Sequence, residues 1–521
     1  MRATVLLSLM LAALGSGCAR HDPPGLGDDE PASSVTVAAA PVADPVVAPV
    51  KSTRGPQGAA GSVAPAASAA PGENELPIGP EYEADAEHGV ELWAITRPVW
   101  IHDMPDSMSR RLGYLNPGMV VRRAERPVST KRCKNGWFRV APRGFLCQNG
   151  DVTTDRQHPV AATYLHQARR GEPLPYVYGR VQSSLAFRYA KAPTRYEQRT
   201  AEGNDLDEHL GKNSRAYQQT ITGEPEPLPA LLATGGILPK AGNVTHRARH
   251  GAHRGTASGH SSFAFLSVHD VQGRLFGLST DLDLVPLDRL KLASVTRIHG
   301  GVVDDLPAGL VTRGMPPKLR PDASGRLVAD GTFDTYDTLS LTGEARDELV
   351  ETRDGTWVPV KSLLFIKKRT SWPGFLRDDD TMKWIDVNLA DQTLVAYEGH
   401  RAVFATRVST GAGGDDPETG HGTIKGMYRI QAKHVTATMA GDRAEGSDYE
   451  LADVPYVQYF HHDFALHAAF WHEKFGTPVS HGCVNLTPRD AAWVFEWTEP
   501  HVPPEWHGME ANGEGTLVFV H

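Results

Sequence analysis

Toward its C-terminus the chain carries short, mostly apolar runs separated by polar turn residues. Trp384-Ile385-Asp386-Val387-Asn388-Leu389 and Thr393-Leu394-Val395-Ala396-Tyr397 predict two strands around a polar Ala-Asp-Gln turn. A third strand, Ala402-Val403-Phe404-Ala405-Thr406-Arg407-Val408, ends at Ser409-Thr410-Gly411, and two more are expected over 422–430 and 516–520. The one strong helical pattern lies over 487–497. There Thr487 suits the N-cap, Pro488 the first turn and Asp490 the third position of that turn. The pattern describes a β-rich domain with a single helix directly after Cys483. Trp493 and Trp497, at i and i+4 on that helix, read as a packing ridge.

Further upstream the texture changes several times. Short strands with turn residues between them are expected at 90–95, 119–122 and 136–140, the pattern of a small barrel. The run Gly136-Trp137-Phe138-Arg139-Val140, followed by Gly144-Phe145-Leu146, resembles a bacterial SH3-like domain. Residues 155–375 carry alternating runs at 263–268, 338–341 and 355–360, and read as one or two mostly β domains of unknown role. Residues 19–80 are rich in Ala, Pro, Val, Gly and Ser, a composition that cannot form a core and predicts a flexible tether. The chain opens on Met1-Arg2, an apolar run over 5–14 and small residues before Cys18, as a secretory signal does. A cysteine at that place resembles the lipobox of bacterial lipoproteins, with Gly15 where that family usually has Leu. The expected order is therefore a signal over 1–18, the tether over 19–80, an SH3-like β-barrel over 88–153, the segment 155–375, and a catalytic domain over 382–521. The fold class expected is multidomain and mainly β.

Composition removes some functions. Forty percent hydrophobic residues supply several cores, and a net charge of -9 offers no electrostatic case for nucleic-acid binding. No stretch beyond the N-terminus approaches the roughly 18 apolar residues of a membrane span, so a membrane enters only through a lipid anchor at Cys18. Of the four cysteines, Cys133 and Cys147 are expected to pair in an oxidising compartment. Closing that loop contributes roughly 3 kcal/mol on the chain-entropy estimate. Cys483 is left as the odd thiol. His246, His250, His253 and His260 have spacings that suggest metal ligands, but the glycines among them argue against a helix and no acid or cysteine completes the set. A basic loop is the better reading, and no metal or other cofactor is expected.

Cys483 stands in Ser480-His481-Gly482-Cys483-Val484-Asn485-Leu486. A thiolate is the nucleophilic form, and both a nearby imidazole and the start of the following helix favour it. His481 and His467 are the candidate bases, and Gly482 allows a tight turn that brings amides toward a developing oxyanion. This block resembles the signature of YkuD-type L,D-transpeptidases, in which a histidine precedes Ser-His-Gly-Cys at a near-constant distance. Here twelve residues separate His467 from Ser480. The likeness extends over about 382–521 and includes the opening strand pair, the Ser-Thr-Gly strand end and the closing strand. Ala468 stands where many members have Gly, and Asn485 where many have Arg.

The resemblance implies a β-sandwich in which Cys483 attacks the amide between an L-centred diamino acid and the terminal D-Ala of a peptidoglycan tetrapeptide stem. His467 would be general base and acid, with His462 or His472 as alternatives, and Ser480 or a backbone carbonyl would orient the imidazole. The backbone amides of His481, Gly482 and Cys483 are candidate oxyanion donors, and Tyr449, Tyr456 or Tyr459 a further hydroxyl. The long insert over 433–454 reads as a possible lid. Peptidoglycan stems are the expected partners and carbapenems the expected inhibitors. The expected place of action is the periplasm or cell envelope. Rival readings are an L,D-carboxypeptidase or hydrolase using the same site, and a wall-binding scaffold without activity.

Overall fold

The computed structural model describes residues 86–521, except 165, 182–184, 205, 213–214, 235–250, 313, 377–380, 414–420 and 441–449. Cys18, His246, His250 and Tyr449 lie outside the described residues. The chain is mainly β.

Two sheets frame the C-terminal region. One has the order Gly301–Val302, Arg401–Arg407, Thr393–Glu398, Lys383–Asn388, Leu517–Val520, Gly426–Arg429. The closing strand Leu517–Val520 runs parallel to Lys383–Asn388 at its centre. The second sheet contains the long hairpin Ala432–Ala440 and Glu450–His461, with Phe464–Ala468 added antiparallel and Val484–Leu486 parallel beyond it. Their apolar faces meet in one core that includes Ile385, Val387, Leu394, Phe404, Tyr456, Leu466, Val484 and Val518. The expected lid over 433–454 is therefore mostly strand at both ends rather than a loop.

Helix Pro488–Trp497 forms where its sequence signals place it. Thr487 caps it by accepting the Asp490 amide at 3.3 Å, and Pro488 occupies a position whose missing N–H costs nothing. Val494 and Phe495 face the core. Trp493 and Trp497 stack at 5.7 Å, and Trp493 lies on Phe404 at 4.1 Å, the packing ridge expected. The far end is closed by a residue with no local sequence signal. Lys433, fully buried, donates from Nζ to the carbonyls of Phe495 at 2.6 Å and Thr498 at 2.7 Å. Burial pushes its pKa down to about 7, while the helix-end carbonyls satisfy the ammonium.

The short strands of 88–153 form, but they do not close into a barrel. Val90–Ala94 pairs with Val120–Arg123 and Val152–Thr153 in a three-stranded sheet. Val99–His102, Arg111–Leu115, Phe145–Cys147 and Trp137–Arg139 instead continue the second of these sheets, joined through Gly113↔Met509 and Tyr114↔Gly508. Two glycines permit the junction. A Cβ on Gly113 would meet the Gly508 carbonyl and the Trp506 ring at 2.5 Å, and one on Gly508 would meet Tyr114 at 2.4 Å. A disulfide joins Cys133 to Cys147 at the outer end of this segment, with Cα atoms 5.9 Å apart.

Residues 155–375 contribute both strands and short helices. Arg195–Glu202, Leu206–Lys212 and Arg215–Thr222 are helical within a segment expected to be mostly β. The first carries a capping box between Thr194 and Glu197, a Thr-x-x-Glu signal that was present in the sequence. The strands Val177–Val181, Ser262–Val271 and Arg274–Ser279 extend the same large sheet on its other side, with Ser262 paired to Leu451. A separate seven-stranded sheet is built from strands between Ala308 and Ile366. One sheet thus runs through three sequence regions.

Candidate active site

Cys483 sits in the turn between residues 480 and the strand Val484–Leu486, and this turn is held from three directions. Ser480 Oγ accepts the Gly482 amide at 3.2 Å and donates to the Cys483 carbonyl at 2.5 Å. The Ser-Thr-Gly strand end supports it, with Val479 and Ser480 amides donating to the Thr410 carbonyl at 2.9 and 3.0 Å. Thr423 Oγ1 then donates to the Gly482 carbonyl at 2.7 Å. Gly482 has φ +121, and a Cβ there would meet the Phe464 ring at 2.7 Å, so both backbone and space require glycine.

His467 lies on the strand Phe464–Ala468, parallel to the cysteine strand and paired with Asn485. It is 3% exposed, and its Nδ1 is 3.1 Å from the Ala468 carbonyl. A carbonyl only accepts, so Nδ1 carries the proton and the neutral ring keeps its lone pair on Nε2. Trp471 stacks along the imidazole at 5.7 Å. His467 and Cys483 line one cavity of about 360 Å³, together with Ser480, His481, Asn485 and Trp471. Met439 and Leu451, from the hairpin once expected to be a lid, wall the same cavity.

The electrostatics of this pair differ from the expectation of a resting thiolate. Burial pushes the half-buried Cys483 thiol up to about 11, and the Asp463 carboxylate adds to the rise. The thiol donates weakly to the Asp463 carbonyl, 3.5 Å away. The helix start also holds a buried acid, Asp490, whose pKa burial raises. That carboxylate is 2% exposed and accepts from the Gly300 amide at 2.9 Å and Thr406 Oγ1 at 2.6 Å. Burial also pushes His467 down to about 4. At neutral pH the site holds a thiol and a neutral imidazole, not an ion pair.

The lowered imidazoles carry a stability prediction. His467 and the equally buried His507 both have folded pKa values of about 4, below the ordinary 6.5. The folded state therefore binds fewer protons, so their contribution is complete above pH 6.5 and is lost as pH falls toward 4. Each accounts for up to about 3 kcal/mol at that limit. Urea midpoints at pH 7 and pH 4.5 should differ accordingly. Equal midpoints would rule this out.

Several expected residues take other roles. Ser480 ties the turn rather than the imidazole, which the Ala468 carbonyl orients. The Gly482 amide is engaged by Ser480, while the Cys483 amide has no partner among the described residues. His481 is exposed, its ring 4.3 Å from that of His421. Tyr456 is fully buried and donates its hydroxyl to the Glu172 carbonyl, behind the site. Tyr459 packs in the apolar cluster beside Cys483. His462 is exposed on the loop before the His467 strand. His472 does reach the site and lies 2.9 Å from the Asn485 carboxamide. Its Nδ1 accepts the Lys474 amide at 3.2 Å. Whichever way the Asn485 carboxamide is turned, His472 occupies one of its polar atoms and the other faces the cavity wall unpaired. Of the former histidine cluster, His253 lies on the strand His253–Ala257, while His260 reaches the cavity. Among the described residues no group of three or more His, Cys, Asp or Glu side chains suits a metal.

Arg180 and His260 were not anticipated here, because nothing in their local sequence marks them as neighbours of Cys483. Only the pairing of strand Val177–Val181 with Ser262–Val271 brings them together.

The thiol of Cys483 and the buried imidazole of His467 thus share one cavity within the C-terminal sheets. Residues 382–520 match the YkuD family model, the L,D-transpeptidase catalytic domain. The C-terminal region of this chain is a YkuD-type L,D-transpeptidase catalytic domain. It is 28% identical over 123 residues to YciB of Bacillus subtilis (strain 168), a protein whose own assignment as an L,D-transpeptidase is provisional. That match covers 23% of this chain and 62% of YciB. An L,D-transpeptidase structure from Stackebrandtia nassauensis is 25% identical, over 29% of this chain and 61% of that one, with a TM-score of 0.21. The catalytic domain of the E. faecium enzyme acylated by ertapenem is 24% identical, over 27% and 97%, also with a TM-score of 0.21.

Proposed function

We propose that this chain is an exported peptidoglycan L,D-transpeptidase that forms cross-links through a Cys483 thioester and releases D-Ala from a tetrapeptide stem. The observation that carries this reading is the shared cavity of Cys483 and a His467 whose Nδ1 is tied to a carbonyl, within a domain of that family. Export rests on the signal-like start, Cys18 and the tether, which together suit a lipid-anchored protein of the periplasm or cell envelope.

The neutral pair sets the order of events. As sulfur attacks the stem carbonyl, its proton passes to His467 Nε2 and the carbonyl oxygen becomes an oxyanion near the Cys483 amide. The C–N bond then breaks, and D-Ala leaves with the proton from the imidazolium. An amine of a second stem attacks the thioester, gives its proton to His467, and the C–S bond breaks. The imidazolium returns that proton to sulfur. Water in place of the amine gives the carboxypeptidase reaction at the same site.

Incubating the purified full chain with muropeptides tests this. The expected products are cross-linked dimers and free D-Ala. Trimmed monomers without dimers would make the protein a hydrolase, and unchanged substrate would leave a scaffold.

A further inference from the structure

We propose that Arg180, Lys291 and His260 form a carboxylate-binding subsite beside Cys483, supplied by the segment upstream of the catalytic domain and specific for an anionic peptide. This rests on the peptide-substrate reading above. Arg180 lines the Cys483 cavity and also a second cavity of about 530 Å³ that shares Trp471 and His260 with the first. Lys291, Ser294 and His472 line that second space, with one acid, the exposed Glu473.

The arrangement of charge requires an explanation. Strands Val177–Val181 and Leu290–Leu292 are antiparallel, and Lys291 stands directly opposite Arg180. Opposed residues on antiparallel strands point to the same face, where like charges repel. No carboxylate among the described residues pairs with Arg180. Its guanidinium is instead held by neutral acceptors, with Nη1 donating to the Trp471 carbonyl at 3.0 Å and Nη2 to His260 Nδ1 at 3.1 Å. Nε is buried without a partner. Burial lowers the Arg180 pKa, as expected of a cation that nothing neutralises.

His260 is part of the same device. It sits at φ +71, a left-handed conformation uncommon for residues other than glycine, and its amide donates to the Val181 carbonyl at 3.2 Å. Because Nδ1 accepts from Arg180, its ring proton is on Nε2, which adds a donor. Two cations and an imidazole N–H that no carboxylate among the described residues pairs with are the complement of a carboxylate. A stem peptide brings one at the D-Ala terminus, one bond sequence from the attacked carbonyl, and others on its side chains.

The test measures binding in the full chain carrying Cys483→Ala, which removes turnover. Three synthetic stem tetrapeptides serve as probes: the free acid, one amidated at the terminal D-Ala, and one amidated at its internal carboxylates. One of the two amidated peptides should bind about tenfold more weakly than the free acid, and which one identifies the carboxylate. Arg180→Gln should abolish that discrimination. Lys291→Gln, at an exposed position that donates to no backbone group, should reduce it severalfold without loss of folding. Equal affinity for all three peptides, or no binding by any, overturns the subsite. Muropeptide turnover by the unmodified chain judges the transpeptidase reading separately. Discrimination without turnover would keep the subsite and remove that reading, and turnover without discrimination the reverse.

Discussion

Replacing Cys483 by alanine is expected to abolish the covalent adduct with a carbapenem, read as loss of one inhibitor mass from the intact protein. D-Ala release should fall by at least about 10³-fold in the same variant. The reason is the position of the sulfur. Cys483 is the sole unpaired cysteine among the described residues, and its turn is braced by Ser480, Thr423 and the strand end at Thr410. His467→Gln should retain the adduct but form it about 10²- to 10⁴-fold more slowly, because a thiol held near 11 needs a base to take its proton during attack. If the imidazole merely oriented a pre-formed thiolate, that variant would acylate at nearly the normal rate. An adduct that survives Cys483→Ala would remove the cysteine from the mechanism altogether.

The second large effect lies away from the chemistry. Asp453→Ala is expected to lower unfolding free energy by about 3–5 kcal/mol, the cost of leaving a paired charge without its counterion. Asp453 is 1% exposed and joins segments distant in sequence. Arg97, from the bend between the strands Val90–Ala94 and Val99–His102, reaches it at 2.6 Å. Thr280 donates to it at 2.5 Å from the middle segment, and Thr436 at 2.7 Å from the neighbouring strand. The hydroxyl of Tyr178 donates to its backbone carbonyl at 2.8 Å. The pair holds the Asp453 carboxyl below the usual carboxylate range despite its burial. Urea denaturation of the full chain measures the loss. A shift under about 1 kcal/mol would mean that strand pairing and apolar packing join the three segments without a contribution from this ion pair.

Much of the catalytic domain was legible in the residues themselves. Short apolar runs bounded by polar turns mark the strands Lys383–Asn388, Thr393–Glu398 and Arg401–Arg407, each buried on both faces. The helix after Cys483 was equally plain, since N-cap, proline and first-turn acid are local signals. What local pattern missed was the helical part of 195–222, where few apolar residues mark a face, and the Lys433 cap, which closes a helix more than fifty residues away in sequence.

The sequence by itself singled out Cys483, His467 and the family of the domain that carries them, because a short motif at set spacing is a local signal. Only the tertiary structure decided that the strands of 88–153 leave a barrel unclosed and continue the catalytic sheet. It also decided that Arg180 and His260 reach the thiol's cavity. Each of these depends on pairing between residues far apart in the chain, on two glycines that let backbones meet, or on how deeply a charge is buried. None of those quantities is carried by the identity of neighbouring residues. The thiol was visible in seven letters; its protonation and its surroundings belong to the sheet.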